Sequence, residues 1–294
     1  MHVVGVKDEF NKKLAEELGE LIELEKHVFP DGELRPRILG EDLEGKEVLL
    51  VNRTGGGKDF NPNNMLLETL FTVKNLKSMG AKVNLLMPYF VYAMQDKVFR
   101  PGEPHAAKYV LELLKSAGVE KLFVVCAHMQ RERGKLEFSE TLDAYNISVF
   151  KDIAKHLKEK DLNDPIVIGP DFTSSESAGE VAELIGAKST AIHKVRDLET
   201  GETEINEEDI EELEGRDVVI VDDIAETGGT MAKAVDLCKK RGAGKIICAV
   251  VHPVLAGNCL ERIRGKGAEF IATNTLDSEI SCISVEKTIA KQVQ

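Results

Sequence analysis

No stretch of this 294-residue chain approaches the ~20 consecutive apolar residues that a membrane-spanning helix requires, so no membrane span is expected. The opening MHVVGVKDEF meets acids at Asp8 and Glu9 before an apolar signal core could form, so no secretory leader is expected either. The five cysteines (Cys126, Cys238, Cys248, Cys259, Cys282) are odd in number and contain no Cys-x-x-Cys pair. That pattern fits a reduced, cytoplasmic protein without a zinc site, with buried thiols expected ahead of a catalytic one. Basic residues are in the minority: 38 Lys and Arg face 51 Asp and Glu, for a net charge of −13. Duplex binding needs clustered cations to neutralise phosphates, so nucleic acid is not an expected partner. A phosphorylated small molecule stays open, because a few local N–H groups and cations can hold one.

Familiar chemical motifs are missing too. There is no Gly-x-Gly-x-x-Gly after a strand, no Gly-x-Ser-x-Gly and no His-Glu-x-x-His. Thr54-Gly55-Gly56-Gly57-Lys58-Asp59 lacks the spacing of a P-loop and reads as a plain loop. His2, His27, His105, His156, His193 and His252 show no ligand spacing.

A composition of 43% hydrophobic and 30% charged residues suits a folded chain of one large domain or two of ~150 residues. Short, fully apolar runs read as strands buried on both faces: Val48–Val51, Val83–Met87, Leu122–Cys126, Ile166–Ile168, Val218–Val221 and Ile246–Val251. Helical patterns lie between them, at Asn64–Met79, His105–Ala117, Ser148–Lys160, Ser177–Ile185 and Thr230–Arg241. The alternation predicts an α/β chain with mostly parallel sheets. The halves also repeat. EVLLV, a glycine-rich loop, a helix ending KSMGA and then KVNLLMP matches DVVIV, a second such loop, a helix ending KKRGA and GKIICAVVHP. Upstream, LAEELG matches VAELIG. We read two related units joined near residues 139–150. Residues 199–214 hold nine acids and no base, which predicts a solvated loop and short helix.

The segment richest in chemistry is Val218–Thr230, VVIVDDIAETGGT. A hydrophobic strand ends in Asp222 and Asp223, and a short loop then leads through Thr227-Gly228-Gly229-Thr230 into a helix. Glycines let successive N–H groups point at one spot, the helix N-terminus adds its positive end, and threonine hydroxyls add donors. This makes a phosphate cradle. The carboxylates, which only accept hydrogen bonds, suit sugar hydroxyls.

The segment resembles the phosphoribosyl-pyrophosphate loop of the type I phosphoribosyltransferase fold. Within that fold, further residues resemble the ribose-phosphate pyrophosphokinase family, and its archaeal-type members most. Phe29-Pro30-Asp31-Gly32-Glu33 is similar to the family's Phe-x-(Asp/Asn)-Gly-Glu nucleotide segment. Pro88–Lys97 with Gly102-Glu103-Pro104 is similar to its Pro-Tyr-x-x-Tyr-Ala-Arg-Gln-Asp segment. Gly169-Pro170-Asp171 resembles its Pro-Asp loop, and His193–Asp197 lies where it places a Lys-x-Arg loop. The resemblance spans residues 28 to 276. It implies two tandem phosphoribosyltransferase type I-like domains, each a mostly parallel sheet flanked by helices: residues 1–142 on the nucleotide side and 143–294 on the ribose 5-phosphate side.

The roles that the resemblance implies are these. Phe29, Asp31, Gly32, Glu33, Met94, Gln95 and Asp96 bind ATP. Asp222, Asp223, Glu226, Thr227, Gly228, Gly229 and Thr230 bind ribose 5-phosphate. His128 and Asp171 hold Mg2+, and Lys194 and Arg196 are catalytic. A homo-oligomer is implied as well. Four places depart from the family pattern. Met94 stands where arginine is usual, and a thioether cannot pair with phosphate. Phe172–Ala178 replaces a glycine-rich run, losing an arginine and adding Glu176. Glu226 replaces a common aspartate, and Cys126-Ala127-His128 lacks an acid two residues before the histidine. Three functions therefore stand side by side: a diphosphotransferase making phosphoribosyl pyrophosphate, a diverged homologue that binds these ligands and regulates a synthetase, and a phosphoribosyltransferase acting on a base. The last is disfavoured by the duplicated first half.

Overall fold

The structure, a computed structural model, describes residues 1–40, 42–128, 134–135, 141–192, 194–196, 203–205, 210 and 213–294, with the backbone alone at 59, 134–135, 194–196 and 203–205. Most of the acidic 199–214 segment therefore lies outside the described residues, as does His193. The chain divides into two compact units. The first comprises Met1–Thr54, Asp59–Ser148 and Val285–Gln294, the second Gly55–Lys58 and Val149–Ser284.

The first unit begins with β1 (His2–Gly5), α1 (Glu9–Leu18) and a hairpin of β2 (Leu21–Val28) and β3 (Leu34–Ile38). It continues through β4 (Glu47–Val51), α2 (Pro62–Ser78), β5 (Lys82–Met87), α3 (Ala106–Ala117), β6 (Val119–Val125), β7 (Gly134–Lys135) and β8 (Asp143–Ile147). Its sheet has the order β3-β2-β1-β4-β5-β6-β8-β7, parallel except at the β2–β3 and β7–β8 pairs. The apolar runs became its central strands because helices on the crossovers leave neither face wet. Leu49, Leu50, Leu85, Leu86, Met87 and Leu122 are fully buried, each worth roughly 1.5–3 kcal/mol of burial. The edge strand β3 carries Arg35, Pro36 and Arg37, which discourage further strand pairing.

The second unit runs through α4 (Phe150–Lys158), β9 (Ile166–Gly169), α5 (Ser175–Ile185), β10 (Lys188–Ala191), β11 (Lys194–Arg196) and β12 (Thr203–Ile205). Then come β13 (Val218–Ala225), α6 (Gly229–Lys240), β14 (Ile246–Pro253), α7 (Cys259–Arg264), β15 (Glu269–Thr273) and β16 (Ser281–Ile283). The six-stranded sheet β10-β9-β13-β14-β15-β16 is parallel throughout, and β11 pairs antiparallel with β12 as a separate ribbon. Buried Val218, Ile220, Cys248, Val250, Val235 and Cys238 anchor the core on one face. The last helix, α8 (Glu286–Val293), returns to the first unit and packs on α1.

The two sheets share one plan. In the first, β1 leads outward to β2 while β4 leads the other way through β5, β6 and β8. In the second, β9 leads to β10 while β13 leads through β14 and β15 to β16. The sequence repeat thus has a topological counterpart, and each sheet has a point where its strand order reverses: between β1 and β4, and between β9 and β13. The Gly55–Lys58 run is a structural tether of the second unit. Gly56 N–H donates to the Asp277 carbonyl (2.8 Å) and Gly57 N–H to the Val254 carbonyl (2.7 Å). A Cβ on Gly56 would fall 2.1 Å from the Pro253 oxygen, so only glycine fits.

Cys126, Cys238, Cys248 and Cys259 are buried and Cys282 is exposed, and all five are free thiols. Burial pushes the Cys238 thiol up to about 12 and that of Cys259 up to about 11, and it raises Cys248 as well. These three are inert packing groups. Among the described residues, no helix is long and apolar enough to cross a membrane.

At the reversal point of the first sheet, Arg53 at the end of β4 is 7% exposed and donates to Asp8 (3.0 Å), the N-cap of α1, with its guanidinium 4.8 Å above the Phe10 ring. Arg53→Met leaves Asp8 uncompensated, and we expect a loss of about 1–3 kcal/mol by chemical denaturation, below the full buried-pair penalty because Asp8 is one-third exposed. Asp8→Asn preserves the cap, so a comparable loss there isolates the ion pair. In the second unit, the Lys160 ammonium hydrogen-bonds Glu269 (2.6 Å) and holds its carboxyl below the usual range. A depressed carboxyl stabilises the fold above its unfolded titration and loses that contribution as the pH falls through its folded value. Lys160→Met should therefore cost under ~1 kcal/mol at pH 7, after solvent screening, and the difference from the parent should shrink on acidification.

Candidate active site

Open parallel sheets bind ligands beyond the carboxyl ends of their strands, at the point where the strand order reverses. In the second unit this point lies between β9 and β13. β9 ends at Gly169 and delivers Asp171; β13 ends at Ala225 after delivering Asp222 and Asp223. The two strands are hydrogen-bonded neighbours, with Val218 beside Ile166 and Ile220 beside Ile168. Asp171 and Asp222, 51 positions apart in the chain, therefore open on one crevice.

A single side chain ties the carboxylates together. Ser174 is 4% exposed, and its hydroxyl lies 2.8 Å from Asp222 Oδ1 and 3.1 Å from Asp171 Oδ1. Thr173 also hydrogen-bonds Asp171, and the Asp223 N–H donates to Asp222 Oδ1 (3.0 Å). The chain approaches itself closely here, since a Cβ on Gly169 would lie 3.0 Å from the Ser174 carbonyl. Burial, then the neighbouring Asp223 and Asp171, push the Asp222 carboxyl well above the usual range against the Ser174 hydrogen bond. The crowded negative charge fits a cation, and carboxylate oxygens suit a hard divalent ion. Among the described residues, no three His, Cys, Asp or Glu side chains form a closed cage.

The loop after β13 has a distinctive backbone. The carbonyls of Ala225, Glu226 and Thr227 accept, in order, from Leu255 N–H (2.9 Å), Ala256 N–H (2.8 Å) and the Arg262 guanidinium (2.8 Å). A regular strand would alternate sides. Three consecutive carbonyls turned toward one segment leave the following N–H groups turned away from it. Among the described residues, nothing in the chain pairs with the amides of Thr227, Gly228 or Gly229. Gly228 has φ 71° and caps the N-terminus of α6. The turn lines the start of a twelve-residue helix with donors, a geometry that can hold an anion. Leu255 adopts φ 55°, a strained conformation held because its N–H anchors the loop.

The first unit presents the proposed nucleotide residues in two places. Phe29–Glu33 forms the exposed β2–β3 turn, closed by Gly32 N–H to the Phe29 carbonyl (2.8 Å) and Glu33 N–H to Asp31 Oδ1 (3.1 Å). The edge of His27 meets the Phe29 ring (centroids 4.6 Å apart), and the Arg35 guanidinium lies 5.4 Å above that ring. An open depression of about 330 Å³ beside the turn is lined by Glu25, Lys26, His27, Arg35 and Arg37. Met94, Gln95 and Asp96 sit in the loop after β5, with Met94 46% exposed, and Tyr92 at φ 64° turns the chain. Both places lie at carboxyl ends of the same sheet, but β1 and β4 stand between β2 and β5.

His128 is half-buried beyond the end of β6, after Cys126 at φ 41° and the Ala127 N–H donating to Asn146 Oδ1 (2.9 Å). Lys194 and Arg196 form β11, pairing in backbone register with Ile205 and Thr203; their side chains lie outside the described residues. Sequence reasoning missed Ser174 and Arg262. In the sequence Ser174 stands out only as part of a departure from the glycine-rich pattern, and nothing in the Asn258–Arg264 segment signals that it folds back on a loop 35 positions earlier.

A parallel sheet whose reversal point joins paired aspartates to a Thr-Gly-Gly-Thr cradle defines a phosphoribosyltransferase-type site. Comparisons agree. Residues 3–118 match the N-terminal domain of ribose phosphate pyrophosphokinase, and residues 139–286 match the phosphoribosyl transferase domain. The ribose-phosphate pyrophosphokinase of Methanothermobacter thermautotrophicus is 38% identical, covering 95% of this chain and 96% of the relative. That of Methanopyrus kandleri is 35% identical over 99% and 96%. Among solved structures, phosphoribosylpyrophosphate synthetase from Mycobacterium smegmatis superposes with a TM-score of 0.81 at 26% identity, covering 99% of this chain and 97% of that one. The chain belongs to the ribose-phosphate pyrophosphokinase family and is a diphosphotransferase.

Gly228 tests the cradle. Its φ lies in the left-handed region, and a Cβ there would sit 2.8 Å from Cys259 Sγ. Gly228→Ala should raise the KM for ribose 5-phosphate at least tenfold and cost about 1–3 kcal/mol of stability. An unchanged KM in steady-state assays would contradict the placement of the phosphate in this loop.

Proposed function

We propose that the chain transfers the diphosphoryl group of ATP to the C1 hydroxyl of ribose 5-phosphate, giving phosphoribosyl pyrophosphate and AMP. The observation that carries the reading is the set of unpaired loop amides beside Asp222 and Asp223, at the reversal point of the second sheet. The 5-phosphate accepts from the Thr227–Thr230 amides and hydroxyls with Glu226 at the rim, and Asp222 and Asp223 accept from the ribose hydroxyls. These contacts fix the C1 hydroxyl as the attacking group, so that much of the barrier is met by positioning.

Residues 1–142 supply the nucleotide side in this reading and residues 143–294 the ribose 5-phosphate side. Phe29, Asp31, Gly32 and Glu33 bind the nucleoside, and Gln95 and Asp96 lie beside it. Met94 contributes packing and no charge. Lys194 and Arg196 neutralise the negative charge that develops on the transferred group, Arg196 with two parallel donors. His128 and Asp171 would hold Mg2+, which would supply Lewis-acid withdrawal of charge from the transferred group. The working form is a cytoplasmic homo-oligomer.

The test is direct. Purified protein with ATP, Mg2+ and ribose 5-phosphate should release AMP, and Lys194→Ala should cut that release by about a thousandfold or more, the scale of a cation acting on a phosphoryl transition state. Absence of AMP from the folded parent protein would refute the reaction. Formation of a nucleotide from a free base and phosphoribosyl pyrophosphate would instead identify a base transferase.

A further inference from the structure

Two of the three anchors behind the phosphate loop are backbone amides, which no side-chain substitution removes. The third is a side chain. Arg262, on α7, donates to the Thr227 carbonyl (2.8 Å) and is steadied by a second bond to Asn258 Oδ1 (3.0 Å) at the start of the same helix. Its guanidinium approaches to 3.6 Å of where a Cβ on Gly229 would stand. The position matters because of the geometry of the peptide unit. The Thr227 C=O and the Gly228 N–H belong to one planar trans peptide and point in opposite directions. A donor holding that carbonyl from the α7 side therefore aims the Gly228 N–H into the cradle. A glycine at φ 71° offers little resistance to a flip of the peptide before it, because it lacks the Cβ that would restrict φ. A flipped peptide would present a carbonyl oxygen to the phosphate in place of a donor. A charged donor on the carbonyl also polarises the N–H at the other end of the peptide.

We propose that Arg262 is a positioning residue for the phosphate of ribose 5-phosphate, acting through the Thr227–Gly228 peptide and not by direct contact. This rests on the reading that the loop takes the 5-phosphate. Arg262 is exposed and belongs to neither aspartate cluster nor loop, so its effect is confined to one substrate.

Steady-state kinetics on the full chain test this. Arg262→Met keeps the aliphatic stem and loses the donors. It should raise the KM for ribose 5-phosphate about tenfold, the scale of one charged hydrogen bond, with the KM for ATP and the melting temperature unchanged. Arg262→Lys, which retains one donor and the charge, should recover part of the loss. A purely structural role would lower the melting temperature and move both KM values together, and that outcome overturns the proposal. So does a folded Arg262→Met enzyme whose KM for ribose 5-phosphate stays within twofold of the parent. If Arg262→Met fails to fold, Asn258→Ala removes only the bond that steadies Arg262 and should raise the same KM about threefold, an unchanged value again overturning the proposal. Thr227→Val and Thr230→Val separate the two levels of the argument. If they raise the KM for ribose 5-phosphate while Arg262→Met does not, the role of Arg262 is wrong and the site stands. If they leave it unchanged as well, the phosphate binds elsewhere.

Discussion

The chemistry of this protein depends on the reversal of strand order between β9 and β13. Parallel strands buried on both faces leave few places where polar groups can gather, and the crossover helices occupy the faces. Where neighbouring strands send their connections in opposite directions, the two loops part and the carboxyl ends stand open. Asp171, Asp222 and the Thr227–Thr230 turn all project from that opening. The crowding of carboxylates there is unfavourable within the chain itself: burial and like charge keep Asp222 reluctant to ionise. Such a group is suited to meet sugar hydroxyls and a cation, which supply what the fold withholds.

The first unit shows the same plan used differently. Its sheet reverses between β1 and β4, and the corresponding positions carry Asp8 and Arg53. There the carboxylate has a resident cation, buried and placed over Phe10, so the opening is filled by the chain. The glycines that follow β4 do not build a cradle. They lie against Pro253, Val254 and Asp277 as part of the second unit. The two units thus share a strand order, and at the corresponding positions one carries an ion pair of the chain itself while the other gathers carboxylates. The residues proposed for nucleotide in the first unit lie instead at the β2–β3 turn and beyond β5.

Much of the fold was legible because the central strands are continuous apolar runs. Val48–Val51, Val83–Met87 and Val218–Val221 fall within β4, β5 and β13, and the helices between them follow. β2, β3 and β16 were not legible in that way. LIELEKHV and LRPRI carry charges on an exposed hairpin, and SCI is too short to show a period. The return of α8 to the first unit also left no trace, because helix periodicity reports an apolar face and not the surface it meets. At the site, Asp222, Asp223 and Thr227–Thr230 were legible as a strand-loop-helix pattern. Ser174 and Arg262 were not, since each acts on residues tens of positions away.

The sequence by itself determined the α/β alternation, the internal repeat, the family and the composition of the Thr227–Thr230 loop, because these rest on local period and on residues adjacent in the chain. Tertiary structure decided the rest. It placed Ser174 between two carboxylates from different strands, turned three successive carbonyls toward the β14–α7 segment, and set Arg53 against Asp8 in the other unit. These arrangements depend on strand order, which fixes the distances between residues far apart in the chain, and strand order has no local signature.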